Sequence, residues 1–265
     1  MNKMKIPRIV HQIWIQGYVN IPDKLLENLK SIKFSNPSFH FEFWDEPRII
    51  MLLQKYHPKI LKIYKNVHKY NGTVSVMASK SDLARYAILN LYGGLYMDID
   101  FEVGVPLEYL WSKYGRNEFI IADSHYPILD YVYTSYKPKY YAGFFGCIPN
   151  HQIWKCVWKK ILKAQNRNQI DYALDMCLQK YNSNKIVIID PIDVSTHTSC
   201  VANQAKIKSP SSSSWFVGRK FITNVACKPK ITIIIIVILI ILVVLLIFVI
   251  IKITIQKNYF IRKLI

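Results

Sequence analysis

Acidic residues are scarce in this sequence. Seventeen Asp and Glu stand against thirty-five Lys and Arg, which gives a formal net charge of +18 at pH 7. Such a balance permits a nucleic-acid partner, but the lysines are scattered and no zinc-finger or RNP-like signature accompanies them. We therefore predict no nucleic-acid partner, and expect the charge to favour anionic lipid headgroups or a phosphorylated substrate.

The sequence also lacks cysteines spaced as a CxxC motif. The chain has an odd number of cysteines and no CxxC pair; the five are Cys147, Cys156, Cys177, Cys200 and Cys227. This pattern excludes a regular disulfide framework and a cysteine-based zinc site. We expect buried, reduced thiols.

No secretory signal peptide is recognisable, because residues 1–8 lead directly into a strand-like stretch. A different apolar segment occurs near the other end, where residues 231–251 contain no charge and only Thr232 is polar. As a helix this run would be about 30 Å long, the thickness of a bilayer core. It predicts a transmembrane helix, with a buried core helix or strand as the alternative.

The flanking charges leave the orientation of this span open. Lysines or arginines occur on both sides, namely Lys228, Lys230, Lys252, Lys257, Arg262 and Lys263, so the positive-inside rule gives a divided signal. A single span this close to the C-terminus is typical of a tail anchor. We expect a single-pass membrane protein whose catalytic part lies on the cytosolic side.

The rest of the chain alternates between strand-like and helical patterns. This alternation predicts an α/β fold around a mostly parallel sheet, in a single catalytic domain over residues 1–198. Residues 199–230 would be a linker that closes the site and leads to the membrane, and 252–265 a short basic tail. We predict strands at 6–14, 39–44, 95–101, 118–122, 140–148 and 185–189, and helices at 20–33, 46–70 (interrupted at His57-Pro58), 152–164 and 169–181.

The segment with the most chemical information is SKSDLARYAILNLYGGLYMDIDFE, residues 79–102. Ser79 or Ser81 can cap a helix, and Gly93 or Gly94 can end it in the left-handed conformation. A short apolar strand would then present Asp98 and Asp100 on the same side. Two aligned carboxylates favour a hard divalent cation such as Mg²⁺ or Mn²⁺.

Asp82 and Arg85 lie one helical turn apart and can face the same site. An arginine offers planar donors to phosphate or sugar oxygens, and an aspartate accepts from sugar hydroxyls. Taken alone, an Asp-x-Asp triplet is common by chance and an Asp–Arg pair is usually a surface salt bridge. The combination of helix, paired glycines, apolar strand and aligned acids is more specific than either of these patterns alone.

These motifs resemble a known family. IPRIVHQIW, FEFWDE and SDLARYAILNLYGGLYMDID are similar to the DXD-sugar-binding glycosyltransferases of the GT-A fold, family thirty-two in the usual classification. That group includes fungal α-mannosyltransferases, inositol-phosphoceramide mannosyltransferases and animal α-galactosyltransferases, and large clostridial glucosylating toxins carry a similar site. The resemblance covers residues 5–102 and becomes weaker afterwards. It implies a Rossmann-like nucleotide-sugar-binding domain.

The resemblance also implies residue roles. Asp98 would contact ribose or sugar hydroxyls and contribute to the metal site, and Asp100 would bind the metal that bridges the diphosphate. Asp82 and Arg85 would hold the transferred sugar. Among residues of the first strand, those matching the family signature near the nucleotide are His11, Gln12 and Trp14, with core packing an equal alternative for Trp14. Tyr86 and Tyr96 are interpreted as packing residues.

A later part of the chain could complete the site. Family members often close it with a His and then a Ser-Trp pair, and His197 with Ser214 and Trp215 could fill these roles. His197 or Ser214 would complete the metal shell, and Trp215 would cover the leaving diphosphate. The alternatives are a surface histidine and a membrane-proximal tryptophan.

The resemblance implies transfer of a hexose from a nucleotide sugar to a hydroxyl, with retention and hence an α-linked product. The donor base and sugar cannot be read from the residues; GDP-mannose is the first choice and a UDP-hexose the second. A glycolipid or sphingolipid acceptor is favoured over a protein or polysaccharide. A nucleotidyltransferase and a non-catalytic membrane adaptor remain as rival functions.

Overall fold

A computed structural model of the chain describes residues 6–72, 75–124, 138–181, 186–195 and 204–209, together with parts of a helix between 234 and 251. The strands and helices follow the predicted alternation. The α/β class is confirmed.

The main sheet has six strands in the order β2-β1-β3-β6-β5-β7. β1 pairs in parallel with β2 and β3, and β7 with β5, whereas β6 runs antiparallel to both of its neighbours. The predicted mostly parallel sheet is therefore corrected to a mixed one, because β6 enters the middle in the opposite direction. The strand bounds are β1 Ile9–Ile13, β2 His40–Trp44, β3 Gly94–Met97, β5 Phe119–Asp123, β6 Tyr140–Cys147 and β7 Ile186–Ile189.

Helices cover both faces of this sheet. The break predicted at His57-Pro58 is confirmed, since α2 ends at Tyr56 and α3 begins at Pro58, where proline can only occupy a first helical turn. The helices are α1 Asp23–Ser35, α2 Glu46–Tyr56, α3 Pro58–Asn66, α4 Val76–Tyr92, α5 Leu107–Tyr114, α6 Ile153–Ile161, α7 Arg167–Asp171 and α8 Ala173–Leu178, with 3₁₀ turns at Tyr18–Asn20 and Val67–Lys69.

The helix α4 begins earlier than predicted. Its cap is Ser75, whose side chain accepts a hydrogen bond from the amide of Ala78. Ser79 and Ser81 lie inside the helix, and Ser79 is buried and donates to the Ser75 carbonyl. The segment before residue 79 lacks a clear apolar repeat, which is why the earlier start was missed.

A second, three-stranded sheet lies beside the main one. Its strands are β4 (Glu102–Val103), β8 (Val194–Ser195) and β9 (Ile207–Lys208), and β9 lies between the other two. β9 falls within the segment predicted to be a linker, yet Ile207 is fully buried in the core. Residues 204–209 are therefore part of the folded unit.

Two cysteines form a disulfide, which corrects the expectation of reduced thiols. Cys156 on α6 is bonded to Cys177 on α8. The two positions are 21 residues apart and meet only because α6 packs against α8, a contact that sequence spacing does not reveal. Cys147 is buried and free, as expected, whereas Cys200 and Cys227 lie outside the described residues.

The predicted transmembrane span, 231–251, is described only in part. Its described positions are helical and more than a third exposed. Within the residues that the structure describes, no helix has the length and hydropathy needed to cross a bilayer. Several positions of the span are not among those residues, so the anchor stays a prediction.

Candidate active site

The turn from α4 into β3 is built on two glycines. Gly93 and Gly94 have φ values of 63° and 94°, a region that favours glycine. A Cβ at Gly93 would lie 2.6 Å from the Pro149 nitrogen, and one at Gly94 would lie 2.6 Å from the Ile9 carbonyl oxygen. The predicted glycine helix stop is confirmed, and the close packing it allows brings α4 and β3 to one site.

The two acids of the DXD motif lie on a turn directly after β3. The strand ends at Met97, so the prediction that both acids extend from the strand itself is corrected. The Asp98 amide donates to the Gly143 carbonyl (2.9 Å), and the Phe101 amide donates to the Asp98 carbonyl (3.2 Å). From α1, the Asn28 side-chain amide donates to the Phe101 carbonyl (2.7 Å), which holds the turn from a second direction.

Arg85 joins the predicted helix pair to the DXD turn. Its Nε lies 3.4 Å from Asp82 Oδ1, and its Nη2 lies 3.5 Å from Asp98 Oδ1. Nη1 donates to the Ala142 carbonyl on β6 (2.7 Å). The sequence prediction that Asp82, Arg85 and Asp98 face one site is thus matched by the geometry.

Two tyrosines belong to this cluster, one of which had been interpreted as packing alone. Tyr96 donates from its hydroxyl to Asp98 Oδ1 (2.6 Å), and its ring lies 4.4 Å below the Arg85 guanidinium. Tyr141 on β6 donates to Asp98 Oδ2 (3.4 Å). The period-two spacing of Tyr96 and Asp98 is a signal that could have revealed the first contact, whereas the Tyr141 contact depends on strand order.

Burial shapes the charges of the cluster. It raises the pKa of the Asp82 carboxyl well above its usual range despite the attraction of Arg85, and repulsion from Asp171 and Asp98 adds to the rise. Burial also opposes the charge on Arg85, but Tyr96, Asp82 and Asp98 more than offset this and raise the guanidinium pKa. A carboxyl with a raised pKa can both donate and accept hydrogen bonds, which suits sugar hydroxyls.

Asp171 is a buried acid near this cluster that the sequence reading did not single out. It lies at the end of α7 and is 5% exposed. Burial raises its pKa to about 7, while Ser79, Arg167 and Arg85 oppose the rise. The hydroxyl of Tyr86 on α4 donates to the Asp171 carbonyl (2.7 Å), so Tyr86 ties α7 to α4 as the predicted packing role requires.

The DXD turn offers donors suited to a divalent cation. Asp98 and Asp100 supply carboxylate oxygens, which Mg²⁺ and Mn²⁺ prefer. The space beside Asp98 is kept open by Gly143, where a Cβ would lie 2.4 Å from Asp98 Oδ2. Over the described residues no group of three or more His, Cys, Asp or Glu could hold a metal, so further ligands would come from substrate oxygens, water or undescribed residues.

Of the three residues predicted to lie near the nucleotide, His11 and Gln12 are buried in β1, whereas Trp14 directly follows the strand and is half-buried. His11 is buried, its Nε2 donates to the Gly93 carbonyl (2.9 Å), and its Nδ1 accepts from Trp44 Nε1 (3.2 Å). Burial lowers its pKa to about 4, so the ring is neutral and supports the glycine turn. Gln12 is buried with an Nε2 that has no partner among the described residues, and Trp14 donates to the Asn20 carbonyl (3.1 Å). Their roles toward a nucleotide stay predictions.

The residues predicted to complete the site are not placed. His197, Ser214 and Trp215 lie outside the described residues. Two described segments flank these positions: β8 ends at Ser195, two residues before His197, and residues 204–209 precede Ser214. The second segment docks on β4 directly after the DXD turn, with Ile207 opposite Val103 and Lys208 opposite Glu102.

A second charged cluster holds that segment. Asp193 is fully buried, and its carboxylate accepts from the hydroxyls of Tyr109 (2.9 Å) and Tyr114 (2.7 Å) and from Lys113 (2.6 Å) and Lys206 (3.0 Å). Burial opposes its charge, but these four donors hold the pKa of Asp193 well below its usual range. Sequence reasoning missed this residue, because its partners lie on α5 and next to β9.

Comparison with known proteins agrees with this geometry. Residues 22–120 match the model of the glycosyltransferase sugar-binding region containing the DXD motif, and Asp82, Arg85, Asp98 and Asp100 all lie within the matched residues. The predicted relationship to DXD-containing glycosyltransferases is confirmed.

The curated relatives are glycosyltransferases by name. One is an uncharacterized glycosyltransferase of Acanthamoeba polyphaga mimivirus, 34% identical over 167 residues (61% of this chain and 57% of the relative). Another is inositol phosphoceramide mannosyltransferase 1 of Schizosaccharomyces pombe, 31% identical over 112 residues (41% and 32%). The chain thus spans 57% or less of the length of these relatives. Among solved structures, a galactosyltransferase in complex with donor and acceptor sugar analogs aligns with a TM-score of 0.45 at 12% identity, over 83% of this chain and 95% of that one.

Proposed function

We propose that the protein is a metal-dependent glycosyltransferase of the GT-A type that moves a hexose from a nucleotide sugar to an acceptor hydroxyl. One observation carries the proposal: within the matched sugar-binding region, Asp82 and Arg85 of α4 meet Asp98, which lies on the same turn as Asp100. A simple surface salt bridge would not require α4, the DXD turn and β6 to converge, as they do around Arg85.

Each residue has a role that its contacts support. Asp82 accepts from or donates to hydroxyls of the transferred sugar, and Arg85 places positive charge where a diphosphate leaves. Asp98 and Asp100 would hold Mn²⁺ or Mg²⁺, which supplies Lewis-acid stabilisation of the leaving diphosphate. Tyr96 and Tyr141 orient Asp98 through their hydroxyls.

The relatives' names support a proposal for the donor and the acceptor. Inositol phosphoceramide mannosyltransferases suggest transfer of mannose, and so GDP-mannose as donor and a sphingolipid or other glycolipid as acceptor. We propose retention, with an α-linked product. The alternatives are a galactosyl- or glucosyltransferase acting on protein or polysaccharide, and a nucleotidyltransferase.

Isothermal titration with a panel of nucleotide sugars tests the proposal. GDP-mannose, UDP-galactose, UDP-glucose and the nucleoside triphosphates would be titrated into the full chain, with Mn²⁺ and with EDTA. We expect one nucleotide sugar to bind only with the metal, and its slow hydrolysis to release a hexose. Binding of triphosphates alone would indicate a nucleotidyltransferase, and no binding at all would indicate an adaptor.

A pair of variants makes the test specific to the cluster. Asp82→Asn should weaken donor binding, because it removes a group placed on the sugar, whereas Asp23→Asn on the exposed start of α1 should bind as the unmodified chain does. Equal binding by both variants would place the sugar elsewhere.

We further propose a single-pass membrane anchor at residues 231–251, on the strength of its uncharged apolar sequence. The side of the membrane on which the catalytic domain lies is a separate question. The cytosolic placement stays a prediction, and the Cys156–Cys177 disulfide is an argument for an oxidising compartment instead. Protease protection of the catalytic domain in sealed vesicles distinguishes the two.

A further inference from the structure

Much of the positive charge of the chain lies in segments that contain no acidic residue. Residues 47–81 and 131–170 each contain seven Lys or Arg and no Asp or Glu, and residues 194–265 contain ten Lys or Arg and no Asp or Glu. The other 118 residues contain eleven Lys or Arg and all seventeen Asp and Glu, so basic and acidic residues are segregated along the chain. Of the three basic segments, 47–81 and 131–170 lie largely within the described fold.

The lysines of these segments form stripes on helices. Lys59, Lys62, Lys65 and Lys69 follow one another at helical spacings of three or four along α3 and the 3₁₀ turn after it, and all are exposed. Lys155, Lys159 and Lys163 do the same along α6 and just beyond its end, and are also exposed. Like charges at these spacings repel one another, so each stripe costs the helix stability.

Among the described residues, no salt bridge neutralises the stripes. Across the described part of the chain, the salt bridges involve other residues and none of these seven lysines. The helix α1 differs, because its exposed Lys24, Lys30 and Lys33 share the helix with Asp23 and Glu27. The uncompensated charge is thus a property of particular helices.

The two stripes belong to neighbouring helices with apolar groups beside them. His57, at the start of α3, and Trp158, on α6, have ring centroids 4.9 Å apart. Close to this contact, Tyr56 is 44% exposed and Leu162 is 48% exposed. Lysines alternating with exposed aromatic and aliphatic side chains are typical of surfaces that rest on a membrane interface.

We propose that this basic face, formed by the lysine stripes of α3 and α6 with Tyr56 and Leu162, docks on a membrane surface rich in anionic phospholipids. The lysines contact headgroup phosphates, and the two apolar side chains enter the interface. The partner is a lipid surface because the face combines charge with exposed apolar groups, and because Tyr56 is the one aromatic ring among the residues named as forming it, fewer than stacking of successive bases requires. The inference rests on surface charge and does not depend on the proposed transferase activity.

Lysine footprinting on the full chain tests this docking. The protein would be reconstituted in bilayers of phosphatidylcholine alone or mixed with phosphatidylserine, then acetylated briefly and analysed by mass spectrometry. We expect acetylation of the α3 and α6 stripe lysines to slow by about fivefold in the anionic bilayer, with Lys24, Lys30 and Lys33 unchanged. Salt at about 0.5 M, with a Debye length of roughly 4 Å, should remove the protection.

Two variants and one competitor complete the design. Lys155→Glu/Lys159→Glu/Lys163→Glu should abolish protection of the α3 lysines, whereas Lys24→Glu/Lys30→Glu/Lys33→Glu should preserve it. Equal protection in neutral bilayers, equal protection of the α1 lysines, or no protection anywhere would overturn the proposal. So would stronger protection by an added single-stranded RNA than by the anionic bilayer, which would identify a nucleic-acid face.

Discussion

Two buried charged clusters in this protein are built on opposite plans. Around Asp193, one fully buried carboxylate accepts from two lysines and two tyrosines. Around Arg85, one buried guanidinium is shared between Asp82 and Asp98, and the Asp98 side chain keeps 27% of its surface exposed. The first cluster is complete within the protein, and the second presents a carboxylate to the outside.

This difference distinguishes the Asp193 cluster, which is suited to stabilising the fold, from the Arg85 cluster, which is suited to binding a ligand. A carboxylate with four donors has its buried charge compensated, so removing it costs stability. A cluster with longer ion-pair distances and a partly exposed acid has capacity left for a cation and for sugar hydroxyls. The two clusters are nevertheless connected, because Asp193 holds the segment that docks on β4 immediately after the DXD turn.

The largest expected effect would come from Asp100→Asn. This change removes a charged oxygen ligand from the DXD turn, and we expect kcat to fall by about 10²–10³-fold, the usual loss for one electrostatic group at a reacting centre. Thermal unfolding should change little, since Asp100 is not part of the core. The measurement is transfer or donor hydrolysis with Mn²⁺, with Asp23→Asn as control. Unchanged turnover would remove Asp100 from the site.

Asp193→Asn should affect stability before activity. Loss of the buried charge leaves its donors poorly matched, and we expect a decrease of about 2–4 kcal/mol in the free energy of unfolding, measured by urea denaturation. Asp190→Asn is the matched control, because Asp190 is exposed and its side chain accepts from the Ile192 amide.

The same variant should change the pH dependence of stability. The folded-state pKa of Asp193 is depressed, so its contribution is present above the ordinary carboxyl pKa of about 4 and is lost as pH falls below that value. The unmodified chain should therefore lose more stability than Asp193→Asn on acidification below about pH 4. Parallel curves for the two proteins would contradict this explanation.

Tyr96→Phe should have the smallest effect. It removes the hydroxyl that donates to Asp98 but keeps the ring beneath Arg85. We expect a fall in kcat/KM of roughly tenfold, equivalent to about 1.4 kcal/mol for one hydrogen bond to a charged group. Stability should be nearly unchanged, and a large loss of stability with normal activity would make Tyr96 a core residue only.

Predictions from the sequence were reliable where the signal is local. The six strands of the main sheet, the break at His57-Pro58 and the glycine stop at Gly93-Gly94 follow from short-range periodicity and backbone conformation, whereas the early start of α4, the helix α5 and the strand β9 were not predicted. The meeting of Asp82 and Arg85 follows from helical spacing, and the resemblance to the DXD sugar-binding region follows from its motif. Predictions were wrong or incomplete where the outcome depends on contacts between residues far apart in the sequence. Examples are the direction of β6, the Cys156–Cys177 bond and the Asp193 cluster.

The sequence alone determined which residues could carry chemistry and where the positive charge is concentrated, because both depend on residue type and spacing along the chain. The tertiary structure decided which of them meet. Tyr141 and Gly143 reach Asp98 only because β6 runs antiparallel beside β3, and the helices that carry the two lysine stripes are connected by the contact between His57 and Trp158. Strand order and helix packing determine these contacts, and the local periodicity of the sequence does not specify either of them.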